Sequence, residues 1–261
     1  MGNETDPRRP LVLVTGAAGA LGSVLTAELP AHGWDVRRLV RTPDDLGGDT
    51  VVGSVTDLDT MARAAEGADA IVHLGGISGP GSPWADYLAT NIDGTRMVLE
   101  AARLAAVPRV ALASSNHAVG YLRRREHPLP ADLAPRPDSF YGVSKAAMEA
   151  LGSFYSDEYG LTCANLRIGS CFPRPTSARM LATWLSYPDL VRLTLAAIEG
   201  AWTGCETVWG ISRNTRRWWS LDAGERIGFF PEDDAERYAA EVTPDDSDYV
   251  GGATPPTLLP R

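Results

Sequence analysis

The chain has 261 residues, 44% of them apolar, with 24 Lys plus Arg against 33 Asp plus Glu and a formal net charge of −9. That is enough apolar chain for one sizeable core, and the acidic balance argues against nonspecific binding to nucleic acid or to an anionic membrane. Cys163, Cys171 and Cys205 form no CxxC, which excludes a disulfide framework or zinc site of the usual spacing and suits a reducing cytoplasm, and no apolar run approaches the ~20 residues of a membrane span.

The opening "MGNETDPRRP" reads as a flexible arm over residues 1–10 with no targeting signal. Asp6 stands where a myristoylation pattern beginning at Gly2 needs Ser or Thr. "LVLVTG" is a short apolar run ending in glycine, as expected of a buried parallel strand. "ALGSVLTAELPAHG" follows with helical spacing and a terminal Gly33. "DVRRLVR" and "DTVVGSV" read as the next strands, "LDTMARAAEGA" as a helix and "DAIVHLGG" as a strand. A long helical pattern, "WADYLATNIDGTRMVLEAARLAAV", leads to the strand "RVALASS". "SFYGVSKAAMEALGSFYSDEYG" is helical and "LTCANLRIGS" is a strand. Strands alternating with helices predict an α/β fold, a doubly wound parallel sheet of Rossmann type with right-handed crossovers.

The alternation then fades. "SARMLATWLSYPDLVRLTLAAIEG" is expected to be mostly helical, "ETVWGIS" a strand, "DDAERYAAEV" a short helix, and "TPDDSDYVGGATPPTLLPR" a surface or loose tail. Residues 11–261 therefore read as a single Rossmann-fold domain. Its small, mostly helical substrate lobe is expected from about residue 171 onward.

"TGAAGALG" sets Gly16, Gly19 and Gly22 between the first strand and the first helix. Glycines there let a pyrophosphate approach the helix N-terminus, where free N–H groups and the helix dipole favour an anion. The competing reading is a tight turn that packs the helix and binds nothing. An acidic residue ending the second strand would hold adenosine ribose hydroxyls and favour NAD. Arg41 stands there, and reads either as a partner for the 2′-phosphate of NADP or as a solvated loop charge. Asp44 and Asp45 follow and could still reach a ribose, and Ser54 and Val55 lie where an adenine would sit.

"YGVSK" puts Tyr141 and Lys145 on one face of a helix. A phenol has a reference pKa of about 10, and a nearby ammonium favours the phenolate. Tyr141 then becomes a plausible acceptor for the proton of an alcohol undergoing oxidation. "ASSNH" at the end of the preceding strand strengthens that reading.

"TGAAGALG", "VHLGG", "NIDGT", "ASSNH" and "YGVSK", in this order, resemble the extended branch of the short-chain dehydrogenase/reductase superfamily, the NAD-dependent epimerases and dehydratases. The resemblance implies Tyr141 as base, with Lys145 lowering its pKa and holding the nicotinamide ribose. It implies Ser115 on the reacting oxygen, with Asn116 as the alternative, and Asn91 supporting Lys145 through a water. The cofactor set it implies is Gly16, Gly19, Ala20, Leu21, Gly22, Arg41, Ser54, Val55, Leu74, Gly75, Gly76, Tyr141, Lys145 and Ile168.

"ASSNHAVGY", "RPDSFYGVSK", "LRIGSC", "ARMLATW" and "VWG" followed by "WW" carry a narrower resemblance, to the uronate dehydrogenase family. It implies NAD-dependent oxidation of D-glucuronate or D-galacturonate at C1 to an aldaric acid lactone. Ser78, Ser115, Asn116, His117 and Ser170 would line the sugar site, and Arg179 would clamp the C6 carboxylate. The chain departs from that family at Arg41, where an acidic residue is usual, and at Ser54, where an aspartate is usual. The first departure keeps NADP open as an alternative to NAD.

His73, at a strand end, reads as a packed, hydrogen-bonded residue, whereas His117 reads as a substrate contact. Arg123, Arg124 and Arg125 read as a solvated face, and Arg174 as a loop charge. Trp218 and Trp219 could stack on a sugar, but read more readily as core or subunit interface. Cys171 reads as a small apolar residue near the nicotinamide. No metal and no nucleic-acid partner is expected, and a homo-oligomer is. Two other functions compete: a nucleotide-sugar epimerase or dehydratase of the same superfamily, and a non-catalytic NADP-binding redox sensor. The short stretch after Lys145 argues against the first, and the retained Tyr/Lys pair against the second.

Overall fold

The computed structural model describes residues 8–43, 47–125, 128–245 and 247–252. Asp44, Asp45, most of the expected N-terminal arm and residues 253–261 of the expected tail lie outside the described residues.

The alternating strands and helices build a parallel sheet. Its strands are β1 (Leu11–Thr15), β2 (Asp35–Val40), β3 (Asp49–Val52), β4 (Ala70–His73), β5 (Arg109–Ser115), β6 (Thr162–Ile168) and, after two short strands β7 (Ser170–Cys171) and β8 (Trp184–Leu185), β9 (Cys205–Gly210). The seven-stranded order is β3-β2-β1-β4-β5-β6-β9, with every pairing parallel. Winding reverses between β1 and β4, the switch point above which doubly wound sheets bind their ligands.

Both faces of the sheet are covered, which is why the central strands β1 and β4 are apolar almost throughout. Along β1, Val12 and Val14 face one core cluster and Leu13 the other, the period-two alternation of a strand. Helices α1 (Ala20–Glu28) and α7 (Tyr187–Glu199) contribute to the first cluster. Helices α2 (Leu58–Ala65), α4 (Gly94–Leu104) and α5 (Phe140–Tyr159) contribute to the second. A short α3 (Trp84–Asp86) runs into a π-helical stretch, Tyr87–Asp93, and then into α4.

After β6 the stretch 177–200 is mostly helical, as expected, but its helix is broken in two. Helix α6 (Met180–Thr183) stops after one turn, and Trp184–Leu185 pairs with Ser170–Cys171 as β8. Ser186 then starts α7 afresh, its side chain accepting from Asp189 N with Pro188 in the first turn. Helix α8 (Asp222–Arg226) and a 3₁₀ turn at Ala235–Tyr238 follow. Trp219 is fully buried and stacks on Trp209, centroids 4.2 Å apart, so it belongs to the core. Residues 247–252 return to the loop after β5 as a strap, with Val250 N donating to Leu122 O and Gly251 N to Gly120 O. Arg123 and Arg124 hold this strap through Tyr249 and Asp248.

Candidate active site

The glycine-rich turn is a cradle that side chains would fill. Gly16 has φ +68°, and a Cβ there would meet Gly75 N at 2.8 Å. A Cβ at Gly22 would lie 2.2 Å from Gly16 O. Helix α1 opens at Ala20 and Leu21 behind Gly19, which makes no side-chain cap, so its first-turn amides remain for a ligand. Across the switch point, Gly75 abuts Val55 and donates its N–H to Thr15 Oγ1 at 3.0 Å. Gly76 abuts Asn91, and Leu74 lines the same edge half-buried. These residues fit a dinucleotide: bare backbone at a helix N-terminus, at the carboxyl end of a parallel sheet.

The adenosine end is less committed. Arg41 follows β2 and is exposed, while Arg37 pairs with Asp49 at 2.8 Å. Arg38 is buried against Gly47 O and Thr50 Oγ1. Ser54 bonds Thr56 at 2.8 Å. His73 is fully buried between Thr15 (2.8 Å) and Thr95 (3.2 Å), the packed role expected of it. Burial, and then the charge of Lys145, push its pKa down to about 3.

Ser139 caps α5 by accepting from Gly142 N, which fixes Tyr141 and Lys145 in the first turns of that helix. Lys145 Nζ donates to Ala113 O at 2.7 Å and lies 5.6 Å from the centre of the Tyr141 ring. Burial pushes the Tyr141 phenol up, and a hydrogen bond with Ser115 pulls it back. Burial pushes Lys145 down to about 8, against the opposing charge of Glu149. The side chain of Asn91 brackets Ile77, accepting from its N–H at 2.7 Å and donating to its C=O at 3.0 Å. It also donates to Ser144 Oγ at 2.9 Å, and Ser144 donates to Tyr141 O. Asn91 therefore reaches α5 through Ser144, and bonds Lys145 directly nowhere among the described residues.

Of the residues expected around a sugar, Ser115, Asn116 and His117 follow one another at the end of β5, and Asn116, Arg179 and Ser170 are linked through Val250 and Thr183. Ser115 ends β5 and accepts from His117 N at 3.2 Å. Asn116 donates to Val250 O at 2.8 Å. Arg179 Nη2 donates to the same carbonyl, and its Nη1 reaches Thr183 Oγ1 at 3.5 Å. Its Nε is buried with no partner among the described residues, and the guanidinium sits over the Trp218 ring. Ser170 shares a hydrogen bond of 2.9 Å with Thr183. Ser78 is exposed in the loop after β4, and Ile168 is buried at the end of β6. Arg174 is exposed, 3.5 Å from Glu241, as a loop charge should be. Cys171 is half-buried, and burial pushes its thiol up to about 12, which leaves it inert.

Sequence reasoning missed Asp138, which sits 2.9 Å from His117 Nδ1, and the Val250 carbonyl shared by Asn116 and Arg179. Asp138 stands in the quoted "RPDSFYGVSK", three residues before the tyrosine, but its contact spans 21 residues and no local pattern signals it. A backbone carbonyl carries no side-chain signal at all.

Residues 12–199 match the NAD dependent epimerase/dehydratase family. The chain is 38% identical over 255 residues to a uronate dehydrogenase of Pseudomonas syringae pv. tomato, covering 93% of this chain and 92% of that one. It is 40% identical over 236 residues to a uronate dehydrogenase of Agrobacterium fabrum, covering 89% and 88%. Its fold is similar to the crystal structure of a mutant uronate dehydrogenase from Agrobacterium tumefaciens complexed with NAD, with TM-score 0.86, 38% identity, and 93% and 96% of the two chains covered.

Proposed function

The chain belongs to the NAD dependent epimerase/dehydratase family, and from that premise we propose that it is an oxidoreductase that converts a hexuronic acid, D-glucuronate or D-galacturonate, to an aldaric acid lactone by oxidation at C1 with NAD. Gly16, Gly19, Ala20, Leu21 and Gly22 would hold the pyrophosphate. Val55, Leu74, Gly75, Gly76, Ile168 and Lys145 would hold the rest of the dinucleotide. Bound NAD supplies the acceptor for the hydride that leaves C1.

The chain's own residues handle orientation and the proton. Ser115 hydrogen-bonds the C1 oxygen, and Tyr141 accepts its proton. Lys145 holds a positive charge beside the Tyr141 ring, and Asn91 steadies the first turn of α5 through Ser144. Ser78, Asn116, His117 and Ser170 line the sugar. Arg179 grips the carboxylate and so fixes which carbon faces the nicotinamide, and orientation of this kind accounts for several kcal/mol of a barrier.

The observation that carries this reading is the convergence of Arg179 and Asn116 on one carbonyl, that of Val250. It brings a cation to Asn116, next to Ser115, in an acidic protein, with its Nε lacking a partner among the described residues. A substrate carboxylate supplies acceptors for such a fork. We also place the enzyme as one Rossmann-type domain over residues 11–261, homo-oligomeric and in a reducing cytoplasm where its three cysteines stay free.

The test is a steady-state screen of D-glucuronate, D-galacturonate, glucose and galactose, each with NAD and NADP, read by absorbance of the reduced nicotinamide. Uronates with NAD are expected to turn over, and Arg179→Ala to raise their KM about 10- to 100-fold without changing the KM for NAD. Equal turnover of the neutral aldoses, or an Arg179→Ala variant with normal uronate kinetics, removes the carboxylate clamp. Preference for NADP would give Arg41 the phosphate role instead.

A further inference from the structure

Asp138 brings a carboxylate into the wall of this site, and no step above uses it. The residue is only 5% exposed. The slot that buries it is made by two glycines. A Cβ at Gly120 would lie 2.0 Å from Asp138 Oδ2, and one at Gly251 would lie 1.7 Å from it. Gly251 belongs to the strap, and its amide donates to Gly120 O at 3.0 Å, so the strap closes the slot. Inside it, the carboxylate accepts from Ser139 Oγ at 3.0 Å and faces His117 Nδ1 at 2.9 and 3.0 Å.

The His117 ring meets the Tyr141 ring edge-on, with centroids 5.6 Å apart. Its side chain is 25% exposed, and its Nε2 has no partner among the described residues. An ionised carboxylate can only accept hydrogen bonds, so the nitrogen facing it must carry a proton. In a neutral imidazole the other nitrogen is then an acceptor.

We propose that Asp138 is a positioning residue that locks His117 in its Nδ1–H tautomer and so presents Nε2, beside Tyr141, as an acceptor for a hydroxyl of the sugar. The role of that hydroxyl rests on the uronate reading above, whereas the tautomer does not. The site would then sort its ligand twice: Arg179 selects an anion, and Nε2 requires a hydroxyl donor. An analogue lacking that hydroxyl leaves an acceptor unpaired.

Asp138→Asn tests this with almost no change of shape. The carboxamide would donate to Nδ1, drive the ring proton to Nε2, and turn the acceptor into a donor. The expected result is a fall of about 10- to 100-fold in kcat/KM for the uronate, with the KM for NAD and the melting temperature close to wild type. Nitrogen-15 NMR of the imidazoles supplies the second readout, with His117 assigned by its loss in His117→Gln. The wild-type spectrum should show the Nδ1–H form at assay pH, and the Asp138→Asn spectrum the Nε2–H form.

A wild-type Nε2–H ring or an imidazolium at assay pH overturns the proposal, even if the variant does not fold. A variant whose tautomer changes while uronate turnover stays intact overturns it too. If the wild-type protein oxidises no uronate, the functional reading fails, while the spectrum still decides whether Asp138 sets the tautomer.

Discussion

Tyr141 and Lys145 lie one helical turn apart, and burial moves both away from their charged forms: the phenol up, and the ammonium down to about 8. With Nζ 5.6 Å from the ring centre, the charge of one bears on the titration of the other. Loss of one proton leaves either a neutral amine beside a phenol or an ammonium beside a phenolate, and the two states differ only in where the proton sits. In the proposed mechanism the second state is the one that accepts a proton from the sugar. Oxidation is expected to rise with pH, by up to about tenfold per unit, while this proton is being lost, and then to level off. In Lys145→Met the phenol has no cationic neighbour on the helix, so the same limb should move to higher pH. Initial rates at subsaturating uronate across the pH range, with NAD saturating, give the profile. A flat wild-type profile, or a limb that stays in place in Lys145→Met, would show that this pair does not control the chemistry.

At the scale of elements, the strand ends above the switch point hold the site's backbone, and His73 is the tie between them. Its ring bridges Thr15 at the end of β1 and Thr95 in α4, fully buried and with its pKa down at about 3. The unfolded chain binds a proton there near pH 6.5 and the folded one does not, so stability falls as pH drops from 6.5 toward 3. Between pH 7 and 5 this group alone should cost about 2 kcal/mol, and His73→Gln should lose that part of the slope. Urea unfolding of both proteins at several pH values measures it, and parallel curves for the two would refute it. Such ties also mark what the sequence could reveal. The glycine turn, the strands and the Tyr141–Lys145 spacing are legible because each lies within one element or its turn. The break at Trp184–Leu185 is not legible, because a two-residue strand exists only through its pairing with Ser170–Cys171. His117 could be read as a site residue from "SSNH", but Asp138 behind it could not. Its significance comes from Gly120 and Gly251, which fold against it from opposite sides of the sequence.

Across the whole molecule, one buried ion pair connects α5 to the chain that follows β6. Glu149 in α5 and Arg167 in β6 meet through two bonds, at 2.8 and 2.7 Å, with their side chains 8% and 3% exposed. Ser114 donates to the same carboxylate from β5. The guanidinium also donates to Ala131 O and Leu133 O and lies over Trp209, which stacks on Trp219. Sheet, helix and later core thus share one polar junction, fully partnered on the guanidinium side. Removing one member leaves the other buried without compensation, so Glu149→Ala should cost about 3–5 kcal/mol in denaturant unfolding. Glu149→Met combined with Arg167→Met should recover much of that loss, because apolar packing replaces the pair without stranding a charge. The same carboxylate holds up the pKa of Lys145, one turn away. If Glu149→Ala folds, its loss should move the limb of the oxidation profile to lower pH than in wild type. A variant that is destabilised but keeps the wild-type midpoint would confine Glu149 to the framework. A shifted midpoint would make the junction part of what tunes the catalytic pair.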